Sequence, residues 1–418
     1  MAGQTIAQKV LGAKSDAENP ATGDHVTVRP DWAIGHDLSM YPSRERMDEL
    51  GFDSVARPED VLLVFDHYVP SDNADVSTHM NETAEWAERQ GIEHFYPSGH
   101  GICHNVITEN GHVRPGQLIL GADSHTTTHG AFGAFATGIG HTDLGYLMGA
   151  GELWVKVPES RKFVVDDTLP EGTSAKDLGL AVMRELTAKG AIYESIEFHG
   201  AGIENLEMHE RATLSNFGVE LGAMAAIVPA DDVTKAYLEG RTDEDYEPVH
   251  PDDDADYDAT TRLDATELEP LLAEPSRVDN VGTVRENVGT GVDQVFVGTC
   301  NNSRYEDLKA FAEMLAGEQV APGTDLIVVP GSRTALERLN EEGLSNEILR
   351  AGGMIEPPGC GPCFGAHGGI LGEGDTCLGT MNRNFPGRMG PGDIYLGSPE
   401  TAAATAMYGE ITDPREAI

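Results

Sequence analysis

A chain of 418 residues with 70 aspartates and glutamates against 28 lysines and arginines carries a formal net charge of −42. A surface this acidic repels nucleic acid and anionic lipid, which are held through clustered basic groups, and matches the solvated coat that keeps proteins soluble in high salt. Five cysteines are too few, and odd in number, for a disulfide framework, which points them to metal binding or catalysis.

The N-terminal "MAGQTIAQKVLGAK" lacks the apolar stretch and cleavage site of a secretory leader, and no later run reaches membrane-spanning length. A soluble cytoplasmic protein is therefore expected. The apolar run "VLLVF" reads as a buried strand ending at Asp66 and His67, and "QLILGA" as another ending at Asp123, Ser124 and His125. Between them, Cys103 in "GHGICHNV" reads as a packed thiol. A Gly-rich block closes near residue 158, where a first α/β domain (1–158) is placed. Helical periodicity in "SAKDLGLAVMREL" opens a second domain (159–284), whose tail, about 240–284, is acidic and poor in apolar residues and reads as a solvated connection.

A third domain (285–418) begins with "VDQVFVGT", a strand ending at Cys300, and the helical "SRYEDLKAFAEML", whose Ser303 and Glu306 have capping-box spacing. "DLIVVPGS" is its next strand. Alternation of strand, loop and helix indicates an α/β fold with mostly parallel sheets, in which ligands sit beyond the carboxyl ends of strands. The polar residues named above fall at those ends. No internal repeat is evident, and no phosphate-binding glycine motif stands between a strand and a helix.

Cys300, Cys360 and Cys363 can converge from two loops, leaving a four-coordinate metal one free position, as catalytic sites do. The Gly- and Pro-rich surroundings of "GCGPCFGAHGG" suit an iron–sulfur cluster, because backbone amides must approach sulfide closely. Spacing alone leaves two alternatives open: structural zinc with Cys377 as fourth ligand, and a redox pair of Cys360 with Cys363. His100 and His129 lie four residues from His104 and His125, but such pairs are not zinc ligands without a third partner. The segment "TMNRNFPGRMG" reads by itself as an arginine-containing turn.

Taken together, "VFVGTCNNSRYEDL", "GCGPCFGAHGG", "GADSHTTTHGAFGAFATGIG", "FDHYVPSDN", "RPDWAIGHD" and "NRNFPGR" resemble the signature segments of the aconitase superfamily, in family order and over the whole chain. The length matches its large-subunit branch, the 3-isopropylmalate dehydratase and homoaconitase type. The resemblance implies three α/β/α domains, with the swivelling fourth domain carried by a separate small subunit. It further implies a 4Fe–4S cluster on Cys300, Cys360 and Cys363 with one open iron, and a hydro-lyase that moves water on a hydroxy di- or tricarboxylic acid. The first expectation is 3-isopropylmalate dehydratase of leucine biosynthesis; homoaconitase, an aconitase-like enzyme or a methylmalate-type dehydratase is the alternative.

By the same resemblance His67 pairs with Asp66, His104 with Asp123 and His125 with Glu220, and His67 protonates the leaving hydroxyl. His36, Ser124, Asn216, Asn382, Arg383 and Arg388 surround the substrate. The proton-abstracting base is a serine beside an arginine on the swivelling domain; this chain ends in "GSPETAAATAMYGEITDPREAI" without room for it, so a small subunit is expected to bring both. Two positions depart from the family pattern: Asn301 stands where threonine is usual, and Phe364 where an aliphatic residue is usual. Readings of another class are a structural zinc protein and a metal-binding regulator that takes RNA; the net charge disfavours the latter.

Overall fold

The computed structural model describes residues 3–417. Its first sheet is five-stranded and wholly parallel, in the order His94–Tyr96, Val61–Val64, Trp32–His36, Leu118–Gly121, Phe135–Gly138. The three central strands are buried throughout, which is why they read as continuous apolar runs rather than alternating ones. The second sheet is four-stranded and parallel, in the order Ala225–Ile227, Ser195–His199, Ser160–Asp166, Ala259–Asp264. The third has seven strands. Its parallel part runs Asp393–Leu396, Thr376–Gly379, Gln294–Val297, Asp325–Val328, Met354–Ile355, and Leu271–Ala273 and Val281–Thr283 add to it antiparallel.

The acidic stretch expected to be a plain connection is therefore woven into both neighbouring sheets. Ala259–Asp264 alternates half-buried and exposed residues along the edge of the second sheet, and an edge strand needs little apolar sequence to pair. The third sheet gains its two antiparallel strands from residues before 285.

The helix Ala175–Leu186 forms where its periodicity places it, with Ser174 and Asp177 making a reciprocal cap. The cap expected at Ser303 and Glu306 is shifted by one residue. The helix is Tyr305–Leu315, and Asp307 accepts from the backbone N–H of Arg304 at 3.0 Å. Ser303 instead donates its hydroxyl to the carbonyl of Thr299, closing the turn that carries Cys300, and Glu306 pairs with Arg338 at 3.2 Å.

Between the first two sheets the chain turns at Ser124–Phe132, a buried run of 3₁₀ turns. Gly130 makes that approach possible: a Cβ there would lie 2.0 Å from the carbonyl oxygen of Ala226 in the second sheet. Among the described residues, no helix is long and apolar enough to cross a membrane.

Candidate active site

Every strand that positions the site ends on it. Val61–Val64 leads to Asp66 and His67, Leu118–Gly121 to Asp123 and His125, and Gln294–Val297 to Cys300, with Trp32–His36 delivering His36. Thr299 holds a left-handed φ of +75°, uncommon for a β-branched residue, and so aims the next side chain, Cys300, out of the sheet. The second cysteine loop docks on the turn after Val61–Val64: the N–H of Cys360 donates to the carbonyl of Asp66 at 3.0 Å, and His367 Nε2 donates to that of His67 at 2.6 Å.

A small cavity results, lined by Cys300, Cys360 and Cys363 on one side and by Asp66, His67, Cys103, His104, Asp123 and His125 on the other, with Phe364 and Arg388 among the remaining wall residues. A larger open cleft at the opposite ends of the first sheet's strands has matched charges, Lys14 with Asp31, Arg29 with Glu152 and Arg57 with Asp60, and holds no thiol.

All three histidine–carboxylate pairs are present. His67 Nδ1 donates to Asp66 at 2.7 Å, His104 Nε2 to Asp123 at 2.8 Å, and His125 Nε2 to Glu220 at 3.0 Å. Asp123 has a wider role than one partner. It also accepts from the N–H of His125 at 2.7 Å and lies 3.5 Å from His67 Nε2. Burial would raise its pKa, but the charge and hydrogen bond of His104 and the other histidines hold it well below the usual carboxylate range. Asp66 is likewise driven to about 2 against its own burial, chiefly by His67. For His67, burial is outweighed by Cys360 and Asp66, and its pKa is raised well above the ordinary value. His36 stacks on His67 with centroids 4.0 Å apart and donates Nε2 to the carbonyl of Ala122 at 2.8 Å; burial, then the His67 charge, lowers its pKa.

Arg383 donates Nε to Glu220 at 2.7 Å, so Glu220 serves both His125 and this guanidinium. Arg388 reaches Cys363 Sγ with Nη2 at 3.5 Å. Asn216 donates Nδ2 to Cys300 Sγ at 3.2 Å, and Asn382 donates to the Asn216 amide oxygen. Ser124 is half-buried beside His125, its hydroxyl 3.5 Å from Nδ1, and does not line the cavity.

Two positioning residues escaped the sequence reading. Asp37 accepts from the backbone N–H groups of Asp66, His67 and Tyr68 at 3.2, 3.0 and 2.6 Å, and so fixes the turn that carries the first pair. Its only signal in the sequence was an acid directly after His36. His129, named only as part of a chance pair, donates Nε2 to His104 Nδ1 at 3.2 Å; burial keeps it neutral, its pKa far below the ordinary value.

Three thiols facing one cavity are a donor set that fits an iron–sulfur cluster. Sulfurs on one tetrahedral zinc lie about 3.8 Å apart, given Zn–S of about 2.3 Å. Among the described residues, no group of metal-ligating side chains within 4.8 Å of one another contains these cysteines, although all three face one cavity. Cys377 cannot be a fourth ligand there: it is buried in Thr376–Gly379, with its sulfur toward Gln294. Cys103 is fully buried and donates its N–H to Asp66 at 2.7 Å. Burial pushes Cys300 up to about 12 and Cys360 well above the usual thiol range, so a metal must displace their protons. The donors at Cys300 and Cys363 suit metal-bound sulfur.

The model for the Aconitase family (aconitate hydratase) matches residues 8–291 and 285–409. The chain is 46% identical to the 3-isopropylmalate dehydratase large subunit 1 of Methanopyrus kandleri, over 99% of each chain. It is also 46% identical to the probable methanogen homoaconitase large subunit of Methanosarcina mazei, covering 92% of this chain and 98% of that one. The corresponding Pyrococcus furiosus dehydratase subunit is 39% identical over the full length of both. A solved structure, Thermococcus kodakaraensis aconitase X in its holo form, shares the fold, with a TM-score of 0.51 at 16% identity over 91% of this chain and 89% of its own. A parallel-sheet scaffold with thiols facing paired histidines, matched over nearly its whole length by that family's model and members, places this chain in the aconitase family.

Proposed function

We propose that the chain is the cluster-bearing large subunit of a hydro-lyase that isomerises a hydroxy di- or tricarboxylic acid, and that 3-isopropylmalate is its substrate. Family membership implies an iron–sulfur cluster. The observation that carries the reading is the cavity in which three thiols face His67, His104 and His125, each hydrogen-bonded to a carboxylate. When bound through Cys300, Cys360 and Cys363, a 4Fe–4S cluster supplies an open iron that acts as a Lewis acid toward a hydroxyl.

The chain's own groups do the rest. Asp66 holds the Nδ1 proton of His67, leaving Nε2 to carry a second proton toward the cavity and give it to the departing hydroxyl. His104 and His125 are held in single orientations by Asp123 and Glu220. Glu220 also grips Arg383 by Nε alone, which leaves the terminal nitrogens of that guanidinium to take a substrate carboxylate, while Arg388 neutralises the sulfur side of the cavity. A small partner subunit brings the carbon base, a serine, and closes the pocket. The relatives are themselves named large subunits, which supports a second chain.

A substrate panel on the co-expressed subunits under anaerobic conditions tests this. Isopropylmalate is expected to show the highest kcat/KM among isopropylmalate, homocitrate, citrate and methylmalates; preference for homocitrate would favour homoaconitase instead, the reading supported by the M. mazei relative. Phe364 sits edge-on to His67 and Tyr68, at 5.3 Å from each ring, and forms one wall of the cavity. Phe364→Leu is therefore expected to change the kcat/KM ratio between isopropylmalate and a smaller methylmalate by about tenfold, because one or two methylene-sized gaps discriminate at that level.

A further inference from the structure

Lys176 is fully buried, yet lies in no ion pair among the described residues. It stands in the first turn of Ala175–Leu186, and its Nζ reaches the loops that follow two strands of the third sheet. There it donates to Asn301 Oδ1 at 2.7 Å, to the carbonyl of Thr380 at 2.8 Å and to that of Met381 at 2.6 Å, with the ring of Phe217 centred 5.0 Å away. Three acceptors and no donor around one nitrogen match the three protons of an ammonium group. Each is a charge-assisted bond to one of two loops: Asn301 follows Cys300, and Thr380 and Met381 precede Asn382 and Arg383.

The bond to Asn301 continues inward. Asn301 Nδ2 donates to Asn216 Oδ1 at 2.9 Å, and Asn216 Nδ2 donates to Cys300 Sγ at 3.2 Å. Donors and acceptors alternate without conflict from the ammonium to the sulfur, so each bond polarises the next in the same sense. The sequence departure at Asn301 is thereby given a physical role: its amide spans the gap with oxygen toward Lys176 and nitrogen toward Asn216, whereas a threonine hydroxyl sits on Cβ, one bond short of either position.

Resting on the cluster reading of the proposed function, we infer that Lys176 is a positioning residue that locks the Cys300 loop to the substrate-arginine loop and, through Asn301 and Asn216, strengthens the hydrogen bond on the Cys300 sulfur. A cluster whose sulfur ligand has a strengthened donor accepts an electron more readily, because that donor stabilises the more negative reduced state. The test uses the complete chain, reconstituted anaerobically with iron and sulfide, as wild type, Lys176→Met and Asn301→Thr. The reduction potential and the electron paramagnetic resonance spectrum of the reduced cluster are read for each, with melting temperature as a folding control.

Both substitutions are expected to shift the potential to more negative values and to alter the g-values. Lys176→Met should also speed cluster loss in air about tenfold, since both loops lose their shared anchor. In the double variant Lys176→Met/Asn301→Thr the Asn301→Thr effect should shrink, because the chain has already lost its first link while the Asn301–Asn216 bond it removes is weaker without it. Potentials equal to wild type in both variants would overturn the inference. If Lys176→Met fails to fold, Asn301→Thr alone decides, because that chain keeps both carbonyl anchors. A wild-type chain that takes up no inorganic sulfide would sink the cluster reading itself, a result distinct from a loaded cluster with an unmoved potential.

Discussion

Replacing Cys300, Cys360 or Cys363 with serine is expected to abolish the brown absorption and the inorganic sulfide of anaerobically prepared protein, and all dehydratase activity with them. Each of these sulfurs faces the one cavity, and no other cysteine lines it except Cys103, whose sulfur is sealed in the core beneath Asp66. Cys377→Ser is the matched control: its sulfur lies in a strand of the third sheet against Gln294, so the variant should keep its sulfide and activity. The opposite pattern, sulfide retained without Cys360 but metal lost without Cys377, would return the chain to the structural-zinc reading. Serine is chosen because it preserves volume while replacing a soft thiolate ligand with a poor one.

His67→Gln is expected to lower kcat by about 10²- to 10⁴-fold while leaving the visible spectrum intact, the range lost when a positioned general acid is removed. Asp66→Asn should act on the same step in a way that pH reveals. In the native site the Asp66 carboxylate and Cys360 hold the proton of His67 to a pKa well above the ordinary value. Activity that requires protonated His67 is then present through neutral pH and falls as pH rises through the folded pKa. Without the Asp66 charge that alkaline limb moves toward acid, so the variant loses rate at pH 8 faster than at pH 6. The stability effect runs the other way along the pH axis. Asp66 is depressed from 3.8 to about 2, so its contribution is present above pH 3.8 and lost only as the pH falls toward 2. An alkaline limb that stays in place in Asp66→Asn would remove His67 from the proton transfer.

The strands were readable because parallel sheets bury both faces. "VLLVF" and "QLILGA" leave little room for another structure, and the polar residues after them had to stand at the carboxyl edge. The capping box at Ser303 was misread because local spacing cannot register that the hydroxyl is claimed by the Thr299 turn. The woven course of residues 259–283 was hidden for a related reason: an edge strand between acidic turns has almost no apolar signature.

Read along the chain, the residues yield a list of chemistry: three thiols in two loops, histidines next to acids, arginines in a Gly- and Pro-rich turn, and the family they resemble. How that list is wired is a matter of three-dimensional packing. That packing made Asp123 a hub and not the partner of one histidine, shared Glu220 between His125 and Arg383, and brought Lys176 from the helix Ala175–Leu186 to the loop of Cys300. These pairings join residues far apart in the chain, through buried polar atoms that must find partners once water is excluded. No local periodicity records which distant atom will answer that demand.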